Sequence, residues 1–356
     1  MRKGIILLTA LALALIIFCS ILIQFVKAQS PSSIYIRADG SIDPPTAPIQ
    51  QVENTYKIIA NINSTSLVIL KNNIVLDGQG FTLSSEARPL GQAAINLTCT
   101  SVTVTNFHIT GWQIGVLGVF DNNKIVNNNF TNNGYDVAIY ANNYKVTGNY
   151  LGSERIVGNN NIISQNVISL GDYVSGFWIS SSSGTIIEAN DIILTKETTS
   201  FISTDNANYQ VYHNNFRNIE VNTGGALVFV IGSGIPYWDN GYSSGGNYWS
   251  NYLGRYPNAN EIDASGIGNT AYVNSIASNV IDRYPLIAPY NFSKPIMLTQ
   301  PTPSPTPNPT ASPSIPEFPA WAALLLIVSV MCLIALIGRK KLLENPRVNS
   351  AHDLNY

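Results

Sequence analysis

The chain has 356 residues, of which only 11% are Asp, Glu, Lys or Arg, against roughly 25% in an average soluble protein. Asparagine, with 41 residues, stands where charge normally would. An apolar content of 45% excludes disorder for most of the chain, and a net charge of −2 gives no basic surface for nucleic acid, which is excluded as a partner.

Residues 1–28 begin with Arg2 and Lys3, run apolar from Ile5 to Val26 and end on the small Ala28. This reads as a secretory signal peptide or an uncleaved signal anchor. Cys19 and Cys332 lie in the two terminal apolar runs, which leaves Cys99 alone in the body. An intrachain disulfide and a Cys-x-x-Cys metal or redox pair are therefore both excluded. Residues 33–59 follow, with the Pro-rich SIYIRADGSIDPPTAPIQ at 33–50, and are expected to form an N-terminal cap.

From 60 to 225 one phrase keeps returning: a run of alternating apolar residues, then Asn, then an aromatic or aliphatic residue. Its instances centre on Asn106, Asn129, Asn149, Asn166, Asn190 and Asn215, spaced 23, 20, 17, 24 and 25 residues apart. A related phrase with Asp77 lies 29 residues before the first. Short strands and Asn/Gly turns at a period near 22, without helix-period segments, predict an all-β solenoid. Coils stacked about 4.8 Å apart place each turn residue directly over its counterpart. An amide both donates and accepts, so the six asparagines are expected to form a vertical ladder, whereas stacked carboxylates would repel. Seven phrases imply about 7–8 rungs, or roughly 35 Å of stack.

Five to seven places after successive ladder positions come Asp136, Glu154, Asp172, Glu197 and Glu220. In register, these would line one edge of the stack and could contact Ca²⁺ or a glycan; the plain alternative is a solvated turn. Arg155, Lys196 and Arg217 lie near that stripe.

Residues 226–295 are rich in aromatics and predict a C-terminal cap. Within them Trp238 and Trp249 are either a stacking platform for sugars or a plug for the open end. The run NANEIDASGIGNT alternates oxygen ligands at Glu261, Asp263, Ser265 and Asn269 around glycines, a degraded form of a calcium-wrapping loop. Calcium is the one cofactor the residues suggest. Sequons occur at Asn63, Asn96, Asn129 and Asn291.

The last segments predict a membrane tether. Residues 296–319 form a Pro/Thr/Ser stalk, 320–338 an apolar span of transmembrane length with Trp321 at its edge, and 339–356 a tail opening on Arg339, Lys340 and Lys341. The basic stop keeps the tail cytoplasmic and the body outside, on the extracellular face of the cell membrane.

The segments SIYIRADGSIDPP, YKIIANINSTSLVILKNNIVLDGQGFTL, WDNGYSSGGNYWSNY and IDRYPLIAPY together resemble the NosD-type β-helix proteins, and most closely their exported, membrane-anchored archaeal members. The resemblance covers about residues 33–290 and is most specific in GGNYWSNY and DRYPL. PEFPAW, before the last span, is similar to the surface-anchoring tails of archaeal exported proteins. The resemblance implies a right-handed parallel β-helix. It also implies a copper association, for which this body offers only the scattered His108, His213, Cys99 and Met297.

The expected function is that of an exported, membrane-anchored surface protein, without catalysis, that binds a glycan or another ligand or serves as an envelope component. An extracellular polysaccharide lyase or hydrolase and a copper-associated protein are the alternatives. No catalytic residue can be named, since no Ser-His-Asp set, metal-binding His pair or phosphate-cradling loop is present.

Overall fold

The structure, a computed structural model, describes residues 33–86, 88–170, 177–180, 182–194, 208–219, 236–273 and 280–295. The expected signal segment, stalk, membrane span and tail lie outside the described residues. Among the described residues no helix is long and apolar enough to cross a membrane.

Three parallel sheets account for nearly all of the regular structure. The chain visits them in a fixed order, with one strand of two to six residues in each. Lys124–Val126 lies in sheet 2, Asn129–Thr131 in sheet 3 and Tyr135–Tyr140 in sheet 1; Lys145–Thr147 then returns to sheet 2 beside Lys124–Val126. Repetition of this circuit gives stacked coils, consistent with the expected β-helix. Sheet 2 contains eight strands in parallel succession, from Thr55–Ile58 to Asn208–Tyr212.

The interior follows from strict alternation along each short strand. In sheet 2, Tyr56, Leu76, Val104, Ile125, Val146, Ile163, Ile187 and Val211 stack in one buried column. In sheet 3, Leu151, Ile168, Ile192, Phe216 and Trp249 do the same. Sheet 1 contributes Leu67, Ile95, Val116, Val137, Glu154 and Phe177, an aliphatic column interrupted by one carboxylic acid.

An amide ladder occupies the bend between sheets 2 and 3, and its members are Asn128, Asn149, Asn166, Asn190, Asn214 and Asn247. Each Nδ2 in turn donates to the Oδ1 of the next at 2.9–3.1 Å, and the same Oδ1 accepts the preceding residue's backbone N–H. The expected ladder therefore coincides with the observed one at Asn149, Asn166 and Asn190. Asn129 and Asn215 lie one residue further on, as the first residues of sheet-3 strands. Asn106 lies one residue earlier, with φ of 58°, while the backbone of Phe107 donates to Asn128. The physical reason is the bend itself: a left-handed residue turns the chain immediately before Phe107 and before every ladder asparagine but the last, Asn247. Asn106, Asn127, Gly148, Gln165, Ala189 and His213 fill that role.

Antiparallel hairpins close the N-terminal end. Ile42–Asp43 folds back on Ser33–Ile36, and Ile49–Val52 folds back on Thr55–Ile58, so the first coil's edges are paired internally. At the other end Phe216, Trp249 and Tyr272 stack face to face, with ring centroids 4.3 and 4.2 Å apart, over the last coil.

Candidate functional site

The outer surface of sheet 1 repeats the alternation with different chemistry. Its outward column runs Tyr35, Val68, Asn96, Leu117, Ala138, Arg155, Trp178, one residue per coil in continuous register. Arg155 lies over two rings: its guanidinium carbon is 4.9 Å from the Trp178 centroid and 5.6 Å from that of Tyr140, whose side chain is exposed. Among the described residues Arg155 makes no ion pair. Among the described residues the buried atoms Arg155 Nε, Trp178 Nε1 and Asn96 Oδ1 have no hydrogen-bond partner. Near the N-terminal end of the same face a cavity of about 210 Å³ opens between Ser33, Ser66, Val68, Gln92, Asn96 and Leu117. A flat face of aromatic rings, amides and an unpaired cation can stack on a sugar ring and hydrogen-bond its substituents.

The two described members of the acidic stripe are buried and do not lie on a solvated edge. Asp136 is buried at the bend between sheets 3 and 1, where its carboxylate accepts Asn133 Nδ2 at 3.0 Å and the Gly152 backbone N–H. Burial raises its pKa to about 6, against the lowering effect of those two bonds and of the Ser153 backbone. Glu154, which occupies an interior column position, is buried with neither carboxylate oxygen hydrogen-bonded; burial first and the nearby Asp136 second raise its pKa well above the usual value. The two are out of register: the counterpart of Glu154 one coil back is Val137, not Asp136. A cavity of about 240 Å³ beside Asp136, lined also by Phe130, Asn133, Gly152, Ser153 and Ser169, presents that one carboxyl group. Asp172, Glu197 and Glu220 lie outside the described residues.

Trp238 and Trp249 are 1% and 0% exposed, so neither offers a ring face to a ligand. They complete the interior stack, and the plug accounts for their place. At the calcium-like run the four oxygen donors turn to separate local partners. Residues 261–268 form a hairpin in which Glu261 accepts Gly266 N–H, Ser265 donates to the Ile262 carbonyl and Asp263 accepts from Tyr242, while Asn269 accepts Asn260 N–H. Among the described residues no group of three or more His, Cys, Asp or Glu side chains is arranged to hold a metal ion.

His108 and His213, the two described histidines of the copper alternative, belong to coils five rungs apart along sheet 3, about 24 Å at the usual rise. The Cys99 thiol is buried and donates to the Ile69 and Lys71 carbonyls; burial raises its pKa to about 11. Met297 lies outside the described residues. Of the four sequons, Asn63 and Asn291 are exposed, Asn96 is half-buried and Asn129 is buried.

No family model, curated protein or solved structure matches this chain.

Sequence reasoning missed the pairing of Arg155 with Trp178. The two are 23 residues apart, one coil with the Asn166 phrase between them, and only the strand register brings them side by side. The available signal was the alternation in ERIV and FWIS, which turns the second residue of each outward.

Proposed function

We propose that this chain is an exported surface protein that binds extracellular glycans without turning them over, held to the membrane by its C-terminal span. In this reading it is a right-handed β-helix of the NosD type, delivered by its N-terminal signal segment to an archaeal cell envelope. The observation that carries the proposal is the outward column of sheet 1, where a guanidinium with no ion pair among the described residues lies over two aromatic rings, one of them exposed, a surface that can stack on a sugar ring.

A lyase or hydrolase has less support. A glycosidase needs two carboxyl groups roughly 5–9.5 Å apart flanking its substrate, and the cavity beside Asp136 presents one. The test is to incubate the full chain with a panel of acidic and neutral glycans. Retention without new reducing ends or unsaturated products is the expected result. Products would move the assignment to an enzyme, and failure to retain any glycan would overturn the proposal.

A further inference from the structure

We infer that the notch at Gly152, on the bend between sheets 3 and 1, binds a primary ammonium group, the group a deacetylated amino sugar carries, with Asp136 as its counter-ion. The site is separate from the outer face of sheet 1 and does not depend on what that face binds.

Thr131, Gly152 and Ser169 stand two residues after Asn129, Tyr150 and Val167, which are register partners on three successive coils. The middle position has no side chain, and the cavity of about 240 Å³ opens there, between the exposed Thr131 and Ser169. An atom standing where a Gly152 Cβ would stand lies 3.4 Å from Asp136 Oδ2 and 3.4 Å from the Ser169 carbonyl oxygen, and meets no other atom within 4 Å beyond its own chain neighbours. The notch thus admits a ligand atom a few tenths of an ångström from hydrogen-bond distance to both oxygens. Asp282, the buried acid of the cap, also faces a glycine, but a Cβ at Gly246 would fall 1.9 Å from its Oδ1, so that carboxylate is closed in. Both oxygens at the notch are acceptors, and two convergent acceptors suit a group with more than one hydrogen; a hydroxyl donates once, an ammonium three times. Charge points the same way, because buried charges are normally paired. Asp191 pairs with Arg217 and Lys294, and Asp239 with Arg283. Among the described residues neither Asp136 nor its buried neighbour Glu154 makes an ion pair. Arg88, which reaches Asn132 on the cavity wall, donates there to its carbonyl and amide oxygens. Phe130 and Leu151 give the cavity an apolar side, and Thr131 and Ser169 a hydroxyl-bearing rim, for the body that carries the amine.

The probe is a glucosamine tetramer, compared with its N-acetylated form, which keeps the rings and loses the ammonium; binding to the full chain at pH 7 is measured by titration calorimetry. Spermidine and Ca²⁺ are titrated alongside. The wild-type chain should bind the amine at least tenfold more tightly than the acetylated tetramer, with affinity falling as salt rises. Asp136→Asn should abolish that preference. Gly152→Leu fills the notch and leaves the carboxylate in place, so it should abolish the preference too. Thermal melting identifies any variant that fails to fold, and Gly152→Ala, whose methyl fits at ordinary contact distance, should give a smaller loss of the same sign. Spermidine binding that Asp136→Asn removes supports the ammonium site and assigns its source to a free amine. Equal binding of the two tetramers without such spermidine binding, an unchanged preference in a folded Asp136→Asn or Gly152→Leu, or Ca²⁺ binding that Asp136→Asn abolishes, overturns the inference. Arg155, Trp178 and Tyr140 are untouched by these substitutions, so failure here leaves the glycan panel above to judge the sheet 1 face by itself.

Discussion

The carboxylate of Asp282 accepts the indole N–H of Trp249 at 2.9 Å and the backbone N–H of Asn247 at 2.7 Å, from 33 and 35 residues away. One acid thus fixes both the last rung of the amide ladder and the last ring of the interior stack. Its neighbour Arg283 makes a forked bond to Asp239, at 2.7 and 2.9 Å, in the segment that leads into the same cap. The phrases GGNYWSNY and DRYPL are therefore the two halves of one lock. Asp282→Ala leaves two buried donors unsatisfied at about 1–3 kcal/mol each, so it should lower unfolding stability by about 2–5 kcal/mol. Urea denaturation followed by tryptophan fluorescence checks this, and a loss below 1 kcal/mol would show that the cap does not depend on the acid.

The ladder predicts a contrast between neighbours. Asn128 is buried, donates to Asn149 and to the Val104 carbonyl, and accepts from Phe107. Asn129, the residue the Asn-then-aromatic phrase selects, heads a strand and lies outside that network. Asn128→Ala should cost about 2–4 kcal/mol and Asn129→Ala under about 1 kcal/mol, since only the first strands several buried groups. Equal losses in urea titrations of the two variants would contradict the assigned column.

This one-residue slip shows how far the sequence carried. The period, the parallel stack and the amide column follow from spacing and from the chemistry of a repeated turn. Where two or three asparagines adjoin, as at 127–129 and 214–215, composition does not say which one sits in the ladder. The left-handed residue before the ladder position decides it, and Gln165, Ala189 and His213 fill that role without any of the residue types that normally announce it. The two described members of the acidic stripe, Asp136 and Glu154, are buried. Glu154 follows Asn149 by five residues, and strand alternation puts it in the interior column between Val137 and Phe177, which counting from the Asn alone does not reveal. The Arg155–Trp178 pair required the register between strands, which no local pattern contains.

Buried acids make the stability fall with rising pH. Asp136 moves from 3.8 to about 6 and Asp282 from 3.8 to about 7, while Glu154 moves well above 4.5, each chiefly through burial. The folded chain then holds more protons than the unfolded one from about pH 4 upward, so their stabilising effect is complete below that value. It is lost as pH rises through the folded values. A shift of two units corresponds to about 3 kcal/mol for Asp136 alone. The urea midpoint should therefore be lower at pH 8 than at pH 5. Glu154→Leu continues the aliphatic column between Val137 and Phe177 and should raise the pH 8 midpoint while flattening the slope. A steeper slope in that variant, or a higher wild-type midpoint at pH 8, would refute the account.

After the cap the chain turns back along the outside of sheet 3. Leu286 bridges to Tyr248, Tyr290 exchanges two bonds with Asn215 at 2.7 and 3.0 Å, Lys294 pairs with Asp191 and the Pro295 carbonyl accepts from Tyr150. Tyr248, Asn215, Asp191 and Tyr150 belong to one outward column, so residues 286–295 form a strap across successive coils. Its strongest attachment is Asp191, 4% exposed and shared by Arg217 and Lys294, the latter with half its side chain in solvent. Leu286 and Ile287 anchor the start of the strap to the core, whereas its end is held by polar bonds and the Tyr290–His213 ring stack, so that end should open locally without unfolding the coils. Asp191→Asn weakens the Lys294 attachment, and about 1.4 kcal/mol of weakening gives a tenfold larger open population. Chymotrypsin cleavage after Phe292 should accelerate about tenfold in that variant, and Asn215→Ala should act in the same direction through Tyr290. The urea midpoint of the coils should move little in either. Cleavage at an unchanged rate, or cleavage that tracks global unfolding, would show that the strap and the stack open as one unit.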